Sequence, residues 1–249
     1  MNVYWLEQTE ADVPSENDWL SAAEAIVLKG LRYEKRRVDW RLGRWTAKRA
    51  LASLWNWPAS PASFSAIEIM AGPTGAPEVL LSNSPAAVSI SLSHRGGRAM
   101  CAVSHCNVVL GCDLEIIEPR TDAFVADYFV PGEQELVARV REPERCELLT
   151  LLWSGKESAL KALRTGLRSD TRSVVVSPMK DSFNVGGWSP LQVRCIEGQV
   201  FEGWWQRTVN IMRTLVGDPI PSRPILLEVG SYFTRPRVRQ VSLSNVTCR

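Results

Sequence analysis

The chain has 249 residues, 45% hydrophobic and 22% charged, with a formal net charge of +2. That length and composition exclude an intrinsically disordered chain and fit one large domain or two small ones, each able to bury a core. No run approaches the roughly 18 apolar residues that a membrane span needs, so the expected protein has no membrane-spanning helix.

In chain order, residues 3 to 6 predict a strand, Asp12 to Asn17 a turn, and a helix begins near Asp18. The next helix, about Tyr33 to Trp55, carries Arg37, Arg41, Arg44 and Lys48 at i, i+4, i+7 and i+11 beside an apolar stripe of Val38, Leu42, Trp45 and Ala52. Four cations on one face repel each other, so the stripe is either solvated or set against a phosphate-rich ligand or an acidic partner. Trp57, Pro58 and Pro61 close that helix. A strand over Phe64 to Met70 then leads into the loop Gly72 to Pro77, where Gly75 and Ala76 let backbone approach a ligand, although a plain turn reads the same way.

Val88 to His94 alternates apolar and small polar residues and stops at Arg95, Gly96, Gly97 and Arg98, after which Ala99 to Ser104 resumes as a strand. In this hairpin Ser93 and His94 stand at the end of the first strand, where a hydroxyl and an imidazole can reach a phosphate; an ordinary surface histidine is the alternative. Val108, Leu110, Cys112, Leu114 and Ile116 predict a strand with one buried face, which leaves Asp113 and Glu115 together on the other. Such a pair is repulsive unless a hard cation lies between, and oxygen-only donors suit Mg²⁺; the alternative is an exposed acidic pair on an edge strand. His94, Cys101, His105 and Cys106 fit no common zinc spacing. The six cysteines show no C-x-x-C, and the first residues lack a signal-peptide layout, so a cytoplasmic location is expected.

Glu118, Pro119 and Arg120 mark the expected boundary between two halves, 1–118 and 119–249. Asp122 to Phe129 predicts a short helix, Pro131 and Gly132 break it, and Glu133 to Val140 starts another. From Leu148 to Arg164 the residues Leu149, Leu152, Trp153, Leu160 and Leu163 form the apolar stripe of a core helix, and Thr150, Ser154, Glu157, Lys161 and Arg164 form the opposite, unpacked one. Glu157 and Lys161, four apart, then project side by side, either as a surface ion pair or as chemistry. Gly155 inside this helix costs about 1 kcal/mol relative to Ala, and Lys156 falls on the apolar side. A turn from Thr165 to Arg168 leads into a strand at Val174 to Val176, and residues 180 to 249 read as strands and turns. No internal repeat or low-complexity segment shows in the sequence.

Three segments, Ser91-Leu92-Ser93-His94, Gly111-Cys112-Asp113-Leu114-Glu115 and Trp153-Ser154-Gly155-Lys156-Glu157 continuing to Lys161, together resemble the ordered motifs of the surfactin-type (Sfp-type) 4′-phosphopantetheinyl transferases. The resemblance spans roughly residues 33 to 176. It implies an α/β (α+β) monomer of two similar α/β subdomains with pseudo-twofold symmetry and coenzyme A in the cleft between them. The implied reaction moves the phosphopantetheine arm to a serine hydroxyl of an apo carrier protein and releases 3′,5′-adenosine bisphosphate. By the same resemblance Asp113, Glu115 and Glu157 match magnesium carboxylates and Glu157 the general base. Lys161 matches a pyrophosphate contact, and Arg44, Ser93 and His94 match nucleotide-phosphate contacts. Two departures stand out: Ala76 sits where many members carry Lys or Arg, and Thr165 with Gly166 replaces a more glycine-rich turn.

The residues agree with that chemistry, because phosphoryl-type transfer needs charge neutralisation and alignment, and a carboxylate must take the serine proton. A coenzyme A binding regulatory protein without catalysis is the second reading. A nucleic-acid module lacks the required interleaving of aromatic and basic residues.

Overall fold

The structure is a computed structural model and describes residues 1–178 and 187–230. In the first half, strand β1 (Tyr4–Thr9) precedes helix α1 (Ala22–Gly30), the long helix α2 (Glu34–Leu54) and a short helix α3 (Pro61–Ser65). Strands β2 (Ile67–Ala71), β3 (Pro77–Leu81) and β4 (Ser84–Pro85) follow, then the hairpin of β5 (Ser89–Arg95) and β6 (Arg98–Ser104). Gly96 and Gly97 both have positive φ (57° and 72°), as a two-residue hairpin turn requires. Strand β7 (Val109–Ile116) ends the first half, and the second runs α4 (Asp122–Tyr128), α5 (Pro131–Ala138), the long α6 (Glu144–Ala162), β8 (Val174–Pro178), β9 (Trp188–Cys195), β10 (Val200–Thr208), β11 (Ile211–Asp218) and β12 (Ile225–Leu226).

This is a mixed α/β fold, with sheets ordered β12-β1-β6-β5, β7-β11-β10-β9-β8 and β2-β3-β4. Pairing crosses position 118 in both directions: β7 hydrogen-bonds to β11, and β12 lies parallel to β1. The strands expected after residue 180 appear over 188–218 and 225–226; residues 179–186 and 231–249, with Cys248, lie outside the described residues.

Several boundaries differ from the expected ones for identifiable reasons. The helix expected near Asp18 starts at Ala22, because Ser21 and Glu24 cap each other's backbone N–H groups. Phe64 belongs to α3, capped by Ser60, instead of to a strand. Pro131 opens α5 instead of breaking a helix, since the N–H it lacks has no intrahelical partner there anyway. Helix α6 begins a turn before Leu148.

The halves repeat one buried arrangement that the sequence hides. Glu24 and Glu133 are each the third residue of a helix, and each caps it with one carboxylate oxygen, accepting from Ser21 N at 2.9 Å and Val130 N at 3.1 Å. The other oxygen accepts from a strand N–H, Ile69 at 3.1 Å in one half and Val176 at 3.0 Å in the other. Each glutamate is paired with a fully buried lysine of the long helix, Glu24 with Lys48 and Glu133 with Lys156 at 2.8 Å. Lys48 also donates to the carbonyls of Trp19 and Phe64, and Lys156 to those of Thr171 and Val174. A buried charge persists only when paired and hydrogen-bonded, and both ammonium groups meet that condition. Lys156 is therefore internal, and Gly155 next to it has a packing reason, because a Cβ there would press on Val176 Cγ1 at 2.9 Å.

The repeat extends to the helix ends. After α2, Trp57 N donates to Ala52 O and Asn56 N to Ser53 O; after α6, Thr165 N donates to Leu160 O and Arg164 N to Lys161 O. Both are Schellman closures, with Asn56 (φ 55°) and Arg164 (φ 57°) in the left-handed position.

Between the halves, edge strands β5 and β7 meet through side chains. Ser89 Oγ donates to Val108 O at 2.7 Å and accepts from Val108 N at 2.9 Å, Ser91 Oγ accepts from Cys112 N at 2.9 Å, and Ser93 Oγ donates to Asp113 Oδ1 at 2.7 Å. The small polar positions of β5 thus satisfy an edge that would otherwise be buried unpaired. On its other side β7 lies hard against α6, where a Cβ on Gly111 would collide with the backbone of Ser158 and Ala162. Gly111→Ala is expected to push α6 off the strand and lower stability by about 1–3 kcal/mol or more. A lower urea midpoint with an unchanged slope checks this; an unchanged midpoint contradicts the close approach.

Candidate functional site

Both faces of β7 are covered. Leu110, Cys112 and Leu114 pack with Val3, Trp5, Met100 and Ala102, while Gly111 and Asp113 face α6, so Asp113 is only 3% exposed and not on an open face. The polar stripe of α6 is likewise packed. Ser154 and Ser158 are fully buried and hydrogen-bond Thr214 Oγ1 at 2.9 and 2.6 Å, and Thr150 donates back to Cys146 O. Farther along the stripe Glu157 and Lys161 are half-buried and Arg164 is exposed.

Glu157 and Lys161 do not pair. Lys161 Nζ instead crosses to Asp113 Oδ1 at 2.7 Å, the same oxygen that Ser93 contacts, while Asp113 Oδ2 is buried with no hydrogen-bond partner. Burial works against the Lys161 charge, but Asp113, Cys112 and Glu157 outweigh it and its pKa is raised. Glu115 accepts from Trp153 Nε1 at 3.2 Å and from Arg120 at 3.3 Å, with Arg95 at 3.5 Å. Burial and then Asp113 still raise its pKa, against those arginines.

Glu157 makes no hydrogen bond or ion pair with the described residues. Burial first, then Asp113 and Glu115, push its pKa up to about 7 against the opposing pull of Lys161. The repulsion expected between Asp113 and Glu115 is thus relieved in this structure by protein cations. Among the described residues, no three His, Cys, Asp or Glu side chains are gathered closely enough to hold a metal ion. The unpartnered Asp113 Oδ2 and the proton-seeking Glu157 nevertheless are what a cation arriving between β7 and α6 would satisfy.

A cavity of about 360 Å³, within the size range of small-molecule sites, opens beside this cluster. Ser91, Leu92 and Lys161 line it on the side of the carboxylates, Thr74 to Pro77 form one wall, and Arg164 to Arg168 border the other. The structure thus brings Gly75, Ala76 and Lys161 to one cavity, with Asp113 and Ser93 next to Lys161. His94, exposed, faces a separate outer hollow with Tyr33, Lys35, Arg36, Asp39 and Trp40.

The basic stripe of α2 is largely turned inward. Lys48 is the buried partner of Glu24, and Arg41 donates to the carbonyls of Pro14, Ser15 and Glu16. Arg37 pairs with Glu34 at 3.7 Å, and Arg44 lies 3.8 Å from Glu24 and stacks on Trp40 at 4.9 Å. A helical wheel finds the stripe but not the acidic residue on α1 or the carbonyls of the preceding turn that neutralise it. Sequence reasoning passed over Arg168, whose guanidinium donates to Thr74 O at 2.7 Å across the cavity, and over Lys35 and Arg36 beside His94.

The family model of the 4′-phosphopantetheinyl transferase superfamily matches residues 109–201. The 4′-phosphopantetheinyl transferase HetI of Nostoc sp. is 26% identical over 126 residues, 47% of this chain and 53% of that protein. A holo-[acyl-carrier-protein] synthase of Streptococcus agalactiae is 30% identical over 84 residues, 34% of this chain and 71% of that one. A crystal structure of a holo-(acyl-carrier-protein) synthase from Bacillus anthracis in complex with CoA (3′,5′-ADP) covers 41% of this chain and 92% of its own, at 24% identity and a TM-score of 0.35. The chain belongs to the 4′-phosphopantetheinyl transferase superfamily. Its match spans about half the length of HetI.

The Glu157 environment has a consequence for stability. A carboxyl whose folded pKa is about 7, above its ordinary 4.5, holds its proton longer folded than unfolded, so stability is lost as pH rises between those values. In buffer with chelator, Glu157→Gln is expected to gain melting temperature over the wild type at pH 8 and little or none at pH 5. The same difference at both pH values would remove the raised pKa.

Proposed function

We propose that the protein is a surfactin-type 4′-phosphopantetheinyl transferase that moves the phosphopantetheine arm of coenzyme A to a serine hydroxyl of an apo acyl or peptidyl carrier protein, leaving 3′,5′-adenosine bisphosphate. The observation that carries the reading is the cluster beside the cavity, in which Asp113, Lys161 and Ser93 are locked together and Glu157 stands unpaired with its pKa near 7. The surfactin-type assignment rests on the duplicated Glu24–Lys48 and Glu133–Lys156 arrangement, which gives the chain two related halves, 1–118 and 119–249, that exchange strands β7 and β12.

In the proposed reaction the carrier serine oxygen forms a bond to the phosphorus that bears the pantetheine arm, and the bond from that phosphorus to the bisphosphate breaks. Glu157, which pairs with no described residue, receives the serine proton. Lys161 lies where it can leave Asp113 for the pyrophosphate, and Ser93 keeps Asp113 oriented. Asp113 and Glu157, joined by Glu115 on its release from Arg95 and Arg120, are the residues that would hold Mg²⁺, and the ion would neutralise the pyrophosphate charge. We assign the outer phosphate of coenzyme A to His94 with Lys35 and Arg36; Arg44, stacked on Trp40, positions that hollow. Gly75 and Ala76 approach the ligand as cavity wall.

We further propose a cytoplasmic monomer that acts on proteins and not on nucleic acid or membrane. The five described cysteines are free, which suits a reducing compartment, and no helix among the described residues is long and apolar enough to cross a membrane.

The test is to mix the protein with coenzyme A, Mg²⁺ and a panel of apo carriers and to weigh the carriers by mass spectrometry. Addition of one phosphopantetheine arm is expected, lost in Asp113→Ala and with chelator. Glu157→Gln is expected to lower the rate about 10²–10⁴-fold while coenzyme A affinity changes less than tenfold. Coenzyme A binding without transfer to any carrier would favour the regulatory reading, because the cleft would then be kept without the chemistry.

A further inference from the structure

We infer that Arg164 is a phosphate-binding residue of the cleft, set in a strained backbone position for the sake of its guanidinium; this rests on the proposed coenzyme A site. Arg164 closes α6 in the left-handed region at φ 57°, a conformation that costs a Cβ-bearing residue free energy and that glycine or asparagine accepts more readily. The molecule contains its own comparison. The same Schellman closure ends α2, 108 positions earlier, and there the left-handed residue is Asn56. The half that carries the carboxylate cluster uses Arg instead, so relief of strain is not what holds the residue there.

Three cations line the cavity: Lys161, Arg164 and Arg168. The Lys161 ammonium is engaged by Asp113. Arg168 spends its guanidinium on the carbonyls of Thr74, Arg164 and Thr165, tying the turn to the opposite wall. The Arg164 guanidinium alone among the three makes no hydrogen bond or ion pair with the described residues. The facing wall, Thr74 to Pro77, carries no cation, with Ala76 at its centre. Arg164 therefore provides, from the end of α6, the positive charge that this wall lacks. Lys161 and Arg164 line the same cavity, so that the two can share one anionic group.

Two substitutions separate binding from strain. Arg164→Gly and Arg164→Asn both fit the left-handed backbone, so each is expected to melt at or above the wild-type temperature. Each is also expected to weaken coenzyme A binding by about tenfold to a hundredfold in calorimetric titration. In the carrier assay the KM for coenzyme A should rise by a similar factor with kcat nearly unchanged, as for a contact made equally in ground and transition states. Pantetheine, which has no phosphate, should compete equally well against wild type and variants. If the wild type binds coenzyme A and both variants bind it as tightly, the assignment of Arg164 fails and the site stands. An equal loss for pantetheine overturns the phosphate role. If the wild type binds no coenzyme A, the functional reading itself falls, and Arg164 with it.

Discussion

The seam between β5 and β7 is the constraint on which the site depends. Neither edge strand can be buried without partners for its N–H and C=O groups, and a continuous ladder would fuse the two sheets with no cleft between them. Serine hydroxyls solve this at Ser89, Ser91 and Ser93, each short enough to bond across to β7. The last of the three bonds a side chain instead of the backbone, and that side chain is Asp113. On the far side of β7, Gly111 lets α6 approach until the backbones nearly touch, which brings Lys161 within 2.7 Å of the same carboxylate. Structure and chemistry are therefore coupled through one strand.

Burial on both faces changes the electrostatic reading of that strand. A carboxylate pair on an open face would be screened by water. Here desolvation raises the pKa of Glu115 and Glu157, and Asp113 adds to both shifts. Arg95 and Arg120 hold Glu115, and Lys161 holds Asp113, which leaves Glu157 as the carboxylate with a pKa near neutrality. One strand and one helix thus give three carboxylates three different environments, the condition under which acid–base roles separate.

Much of this was legible in the sequence, and the misses share a cause. The period-two pattern of β7, the Gly96–Gly97 hairpin and the core helix ending in Glu157 and Lys161 are local signals, and the structure has them. Periodicity also put Asp113 and Ser154 on a face, but it could not say that the face was covered, because the cover is the packed helix for one and Thr214 for the other, distant in sequence. The surroundings of the basic stripe were hidden for the same reason: Glu24, the counter-charge of Lys48 and Arg44, lies on another helix. The internal repeat escaped because it is kept by a few buried positions, Glu24 with Lys48 and Glu133 with Lys156, while the residues between them have diverged.

That divergence is plainest at the two α2 positions that correspond to Glu157 and Lys161. Carried back 108 positions, Glu157 and Lys161 fall on Arg49 and Ser53 of α2. Those two side chains hold the segment after β12 at the rim of a smaller hollow of about 250 Å³: Arg49 donates to Gly230 O at 2.7 Å and Ser53 to Glu228 O at 2.8 Å. A guanidinium and a hydroxyl are donors and suit backbone carbonyls, whereas a carboxylate and an ammonium there would leave the strand's acceptors facing a negative charge. The same helix scaffold therefore carries backbone-binding donors in one half and the carboxylate–ammonium cluster in the other. The choice is made by the side chains at two positions one helical turn apart.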